Sequence, residues 1–127
     1  MPRFVILRHE FPAGHARGPH WDLMLERDEA LCTWALAGEP FSALAIDAEQ
    51  LPDHRLAYLD YEGPVSGDRG SVSRWDAGVY RLESDRTSDR WKIAMNGARL
   101  SGLLILERRE PGSHFWRVSF SAVPTTG

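Results

Sequence analysis

The sequence is poor in cysteine, poor in lysine and free of long apolar runs. Cys32 is the single cysteine among 127 residues, which excludes a disulfide within the chain and any zinc site built from several thiolates. Set between Leu31 and Trp34, it reads as a small buried apolar residue rather than a nucleophile. The longest purely aliphatic run, Leu103 to Leu106, falls far short of the roughly 20 residues that span a bilayer. Residues 4–7 are too few for a secretory core, so a cytoplasmic location and no membrane contact are expected. No repeat, low-complexity tract or linker divides the chain, and its length suits one domain over residues 1–127. With 43% hydrophobic and 26% charged residues, a disordered tail and a collagen-like chain are excluded.

A surplus of positive charge is also absent. The formal net charge is −3, which argues against a protein that coats nucleic acid by bulk attraction. Lys92 is the only lysine, however, and the other basic residues are all arginine. Guanidinium grips phosphate with two parallel hydrogen bonds. Genomic base composition produces the same bias, so the count alone does not choose between them.

What is present is mostly two-residue periodicity. Residues 3–9 form an aliphatic strand candidate, and residues 10–19, with Pro12, Gly14, Gly18 and Pro19, read as a loop. His20, Asp22, Met24 and Glu26 then alternate with Trp21, Leu23 and Leu25, the pattern of a strand with one polar-leaning face. Asp28 and Glu29 mark a turn, returning residues 30–36 as a hairpin partner. Phe41, Leu44, Ala48 and Leu51 fit a short helical turn ending before Pro52, although residues 43–46 also suit a strand. Residues 71–75 and 79–83 flank Asp76-Ala77-Gly78, read as a hairpin turn. Asn96-Gly97 is the strongest turn signal, because both residues tolerate positive φ. Residues 114–120 complete a series of about eight short strands with little helix, for which a compact antiparallel β-barrel is the economical closure. A two-sheet sandwich is the alternative.

The most informative pattern is His20-Trp21-Asp22. Positions i and i+2 of a strand project from one face about 7 Å apart at the backbone, so an imidazole and a carboxylate converge on one ion. His9 ends the preceding strand and lands beside His20 if the loop returns the chain antiparallel. His15, nearer in sequence, competes for the same place. Two imidazoles and one carboxylate leave coordination positions open, as a catalytic manganese or zinc site requires. A solvated histidine beside an aspartate is the plainer reading of the same three residues.

Taken in order, residues 3–9 with Glu10, His20-Trp21-Asp22, Leu25-Glu26, Thr33-Trp34-Ala35, Asp53-His54 with Tyr58, Tyr61-Glu62-Gly63 and Arg74-Trp75-Asp76-Ala77-Gly78 resemble the 3′-phosphoesterase domain of bacterial ligase D. The resemblance runs from residue 3 to residue 120. It implies a compact β-barrel with a manganese-dependent or zinc-binding site. Such a hydrolase removes 3′-phosphates and 3′-terminal ribonucleotides from DNA or RNA 3′ ends in end-joining repair, beside ligase and polymerase partners. It further implies that His9, His20 and Asp22 are the metal ligands and that His54 and Tyr58 contact the phosphate.

Three family cations are missing. Met24 stands where the resemblance expects an arginine, Leu36-Ala37-Gly38 where it expects a lysine, and residues 43–46 hold no arginine. Phosphoryl transfer needs positive charge where negative charge develops, so Arg17, Arg55 and Arg69 are candidate substitutes, Arg55 first because it adjoins His54. Two further readings stand beside the phosphoesterase. One is a metal-bound module that binds nucleic-acid ends or a repair partner without turnover. The other is a non-haem iron oxygenase using His20, Asp22 and either His54 or His114. Residues 66–70 read as a plain connector rather than a phosphate loop. Among the aromatics, Trp21 is placed to stack on a base, while Trp34, Trp75, Trp91 and Trp116 are assigned to the core.

Overall fold

The computed structural model describes residues 2–12, 19–40, 45–65 and 69–122. Nine strands are formed: β1 (Arg3–Glu10), β2 (His20–Arg27), β3 (Ala30–Leu36), β4 (Ala45–His54), β5 (Gly63–Pro64), β6 (Ser71–Leu82), β7 (Arg90–Gly97), β8 (Ser101–Arg108) and β9 (Phe115–Ala122). A single 3-10 turn, Leu56–Leu59, follows β4. Eight strands close on themselves in the order β1-β2-β3-β4-β9-β8-β7-β6, with β6 returning to β1 and every pairing antiparallel. The two residues of β5 add to the start of β6. The expected closed barrel is therefore what the chain forms, and closure leaves few unpaired edges. Among the described residues, no helix is long and apolar enough to cross a membrane.

Alternation places one set of side chains inside. Phe4, Ile6, Leu23, Leu25, Trp34, Leu36, Ile93, Leu104, Leu106, Trp116 and Val118 belong to one buried cluster. Trp34 is its hub, meeting Trp91 edge-on at 5.4 Å and Trp116 at 5.5 Å between ring centroids, the T-shaped arrangement aromatic quadrupoles favour. The lumen is thus filled by rings.

A second apolar patch lies on the outer wall. Val5 and Leu7 of β1, Met24 of β2, Leu31 of β3 and Val72 of β6 pack with Leu59 of the 3-10 turn. This double burial explains why residues 4–7 are a continuous apolar run rather than an alternating one. The 3-10 turn is held as a cap over this wall, with Arg3 bonded to Asp60 at 2.8 Å and Arg74 bonded to the Leu59 carbonyl at 3.2 Å.

Three local expectations are corrected. The helical turn over residues 41–51 is not formed within the described part, since β4 runs from Ala45 through Pro52 to His54. Ile46 and Ala48 point inward while Asp47 and Glu49 are exposed, so period two prevails. Pro52 is accommodated because Pro52 and Asp53 together oppose the single residue Cys32, a bulge between the Leu31–His54 and Thr33–Leu51 pairs. Residues 71–83 are not a hairpin: β6 is one strand of 12 residues. Asp76 there is buried, and its carboxylate accepts the amides of Ala77 at 2.8 Å, Arg99 at 3.0 Å and Leu100 at 3.0 Å. Gly78 is required by close approach, for a Cβ would overlap the carbonyl oxygen of Asn96 on β7.

The hairpin after residue 91 exists, but Asn96-Gly97 ends β7 rather than forming the turn. Asn96 pairs with Ser101, and the Gly97 amide donates to the Leu100 carbonyl at 2.8 Å, so Ala98 and Arg99 occupy the tip. The Asp76 carboxylate organises this tip from the neighbouring strand, which is why a turn without positive φ at its centre holds.

Candidate metal centre

The outer face of β1 and β2 carries the candidate ligands. In the register, His9 pairs with His20 and Leu7 pairs with Asp22. Odd residues of β1 and even residues of β2 share the outer wall, so both imidazoles and the carboxylate emerge side by side. His20 Nε2 lies 3.0 Å from Asp22 Oδ1, and His9 Nδ1 lies 3.9 Å from Asp22 Oδ2. The two rings are 4.9 Å apart at their centroids. One ligand atom from each of the three residues falls within 4.8 Å of the other two. The imidazoles are partly open to solvent, whereas Asp22 is buried.

The outer neighbours fix the rings. Phe11 stacks on His9 at 4.4 Å and reaches His20 at 5.4 Å. His9 Nε2 lies 2.6 Å from the Arg69 carbonyl oxygen, a contact that requires Nε2 to carry the proton and leaves Nδ1 a free lone pair facing Asp22. Gly70 makes that contact possible. It adopts φ +83°, and any Cβ there would overlap the Glu10 carbonyl, so only glycine lets this connector lie against the end of β1.

The donor set fits a divalent cation. Asp22 Oδ1 is buried without a hydrogen-bond donor among the described residues, because its close approach to His20 Nε2 is not aligned as a hydrogen bond. A buried carboxylate oxygen without a donor is costly, and a cation set among this carboxylate and the two imidazoles would offset that cost. Two nitrogens and a carboxylate suit zinc or manganese with positions left open. Cys32 takes no part, since burial pushes its thiol above the usual range and keeps it protonated.

His54, Tyr58 and Arg55 form a second group. His54 Nδ1 bonds the Pro52 carbonyl at 3.0 Å, and its ring meets Tyr58 edge-on at 5.6 Å. Arg55 and Tyr58 line a hollow of about 270 Å³ with Ala57, Tyr61, Pro64 and Val65. Tyr58 packs against the outer patch that contains Leu7 and Met24, so this group shares the wall of the metal cluster. No described hydrogen bond, ion pair or ring contact joins the two groups. His54 and His114 lie outside the three-residue cluster, and the His114 carbonyl accepts from the Gln50 amide.

One site expectation is corrected. Trp21 projects from the opposite face to Asp22, against the lumen cluster, with the Arg8 guanidinium 5.9 Å from its ring, so it is turned away from the candidate ligands. Met24 is buried in the outer patch and offers no charge. His15, Arg17 and residues 66–68 lie outside the described residues. The roles of the Arg69 carbonyl and Gly70 were not visible in the sequence, because they follow from β1 pairing with β6, some 60 residues away or more. Beside His20, a hollow is lined by Ala35, Leu36, Ala37, Asp47, Ala48, Glu49 and the exposed Phe115. Its lining contains carboxylates and no cation.

The sequence model of the DNA Ligase D 3′-phosphoesterase domain matches residues 12–108, a span that holds His20, Asp22, His54 and Tyr58. The multifunctional non-homologous end joining protein LigD of Mycobacterium bovis is 37% identical over 116 residues, covering 83% of this chain. LigD of Pseudomonas aeruginosa is 31% identical over 109 residues, covering 79% of this chain, and that of Mycolicibacterium smegmatis is 34% identical over 95 residues, covering 68%. The chain spans only 14%, 12% and 11% of the length of these relatives. The match over most of the barrel places the chain in the family of ligase D 3′-phosphoesterase domains.

Proposed function

We propose that the protein is a divalent-metal-dependent phosphoesterase that acts on DNA or RNA 3′ ends during end-joining repair. The observation that carries this reading is the cluster of His9, His20 and Asp22, with a buried Asp22 oxygen that has no donor among the described residues. Family membership supplies the substrate class, and the relatives named for non-homologous end joining supply the setting. An ion held there by His9, His20 and Asp22, manganese or zinc, would polarise a phosphoryl oxygen and ready a water for attack.

The chain's own residues divide the remaining work. Asp22, fixed on β2, would neutralise part of the charge of an ion held there, and the Arg69 carbonyl holds His9 in the tautomer that presents Nδ1. His54 and Tyr58 sit on the same wall, where an imidazole can protonate a leaving oxygen and a phenol can donate to a phosphate. The hollow beside Arg55, Tyr58 and Tyr61 offers aromatic faces to the preceding nucleotide. Acting on an end rather than along a strand agrees with the net charge of −3, which favours few phosphate contacts.

A second reading, a metal-bound end-binding module without turnover, is favoured by one observation. Met24 is buried on the ligand face, and the hollow beside His20 is lined by the carboxylates of Asp47 and Glu49, where cations would assist transfer. Manganese titration followed by phosphate release from a 3′-phosphorylated primer separates the readings. One bound ion with manganese-stimulated release establishes the phosphoesterase. Tight end binding without release under manganese and zinc establishes the module, and absence of metal binding rejects both.

A further inference from the structure

We propose that Arg74, on β6, is the cation that receives the terminal phosphate of the substrate. The inference rests on the phosphoesterase reading and concerns the same site. Leu7 pairs with Asp22 on one side and with Arg74 on the other. Asp22, Leu7 and Arg74 therefore form one lateral row across three strands. Leu7 faces the outer patch, and strand alternation puts Arg74 on that same wall, where its guanidinium reaches the outer 3-10 turn. Two strand spacings, about 10 Å, separate the backbones of Asp22 and Arg74. An extended arginine covers most of that span. A phosphate at the edge of the 3-10 turn that covers Leu7 would meet the metal ligands on one flank and a guanidinium on the other.

The guanidinium is available. Among the described residues it makes one hydrogen bond, to the neutral Leu59 carbonyl at 3.2 Å, and no ion pair. Most of its five N–H donors remain for an incoming anion. Two carboxylates lie nearby without pairing with the guanidinium: Asp60 pairs with Arg3 at 2.8 Å, and Glu62 accepts the Arg74 backbone amide at 3.0 Å. Two rival cations are less well placed. Arg8 lies against Trp21 and pairs with Glu10 at 3.1 Å, and Arg55 lines the separate hollow beside Tyr58. The Leu59 bond positions the Arg74 side chain beforehand, so less rotamer freedom is lost when the anion arrives.

The test compares a 3′-phosphorylated with a 3′-hydroxyl single-stranded oligonucleotide, by fluorescence anisotropy without added metal, for the wild type and for Arg74→Ala, Arg74→Lys and Arg74→Gln. The wild type is expected to prefer the phosphorylated end. Arg74→Ala and Arg74→Gln should lose about tenfold of that preference or more, and Arg74→Lys should keep part of it, because a point charge replaces the two-pronged grip. Arg74→Gln keeps a donor for the Leu59 carbonyl, so its loss reports charge rather than a displaced turn. Manganese stoichiometry should stay unchanged in all three, which certifies the fold and the neighbouring ligands. Wild-type preference retained in Arg74→Ala, with phosphate release intact in the wild type, overturns this inference alone. A wild type that neither prefers the phosphorylated end nor releases phosphate overturns the phosphoesterase reading and the role of Arg74 with it.

Discussion

Oδ1 of Asp22 lies 3.0 Å from Nε2 of His20 and accepts no hydrogen bond from it. A buried carboxylate oxygen with no donor imposes a cost on the metal-free fold, and a cation beside it removes that cost. Asp22→Ala is therefore expected to abolish manganese binding while leaving the metal-free protein at least as stable as the wild type. In the wild type, manganese at a hundredfold over its dissociation constant should add roughly 2.7 kcal/mol to unfolding. Calorimetric titration and urea unfolding of both proteins check this, and an unchanged stoichiometry in the variant would sink the ligand assignment.

Gly70 controls His9 at one remove. Alanine there would collide with the Glu10 carbonyl, displacing Arg69 and releasing Nε2 of His9 from its carbonyl partner. Loss of such an outer contact commonly lowers metal affinity by about 10- to 100-fold. Gly70→Ala should show that loss in a manganese titration, with the far-ultraviolet spectrum of the barrel retained.

Asp76 is the structural counterpart of Asp22, a buried carboxylate fully used by the backbone. Asp76→Ala strands the amides of Ala77, Arg99 and Leu100 and should cost about 3 kcal/mol in urea unfolding. Manganese binding should survive, because the β7–β8 turn does not touch the metal cluster. Gly78→Ala should cost about 2 kcal/mol by forcing β6 from β7.

Tyr80 ties β6 to the end of β2 by donating to the Glu26 carbonyl at 2.5 Å. Burial, the largest cause, raises its phenol from 10 to about 12. The folded state thus holds this proton after the unfolded chain has lost it. The stabilisation is complete below pH 10 and disappears as pH climbs toward 12. Tyr80→Phe should flatten the alkaline limb of the stability profile and lose about 1 kcal/mol at neutral pH.

The sequence revealed most where neighbouring strands decide the structure. The turn at Asp28 and Glu29 and the alternation from His20 to Glu26 define the hairpin of β2 and β3, and antiparallel pairing of β1 with β2 sets His9 opposite His20. Distant pairings were hidden. Asp76-Ala77-Gly78 has the composition of a turn, yet its aspartate serves the turn of another strand pair and its glycine admits a neighbouring backbone. Trp21 looked adjacent to the ligands because it lies between them in sequence, but strand alternation sends it to the opposite face. Arg74 shares a row with Asp22 only through Leu7, a relation that needs β1 to pair on both edges.

The tryptophans that plug the lumen have a consequence for access. On the proposed reading, a nucleic-acid end would meet the outer wall rather than the filled lumen, and neither its far terminus nor its girth would limit entry. Under that reading, telling a chain terminus from an internal linkage would fall to the few groups that grip the end itself, so small changes on that wall would redirect which termini are processed while the barrel beneath stays as it is.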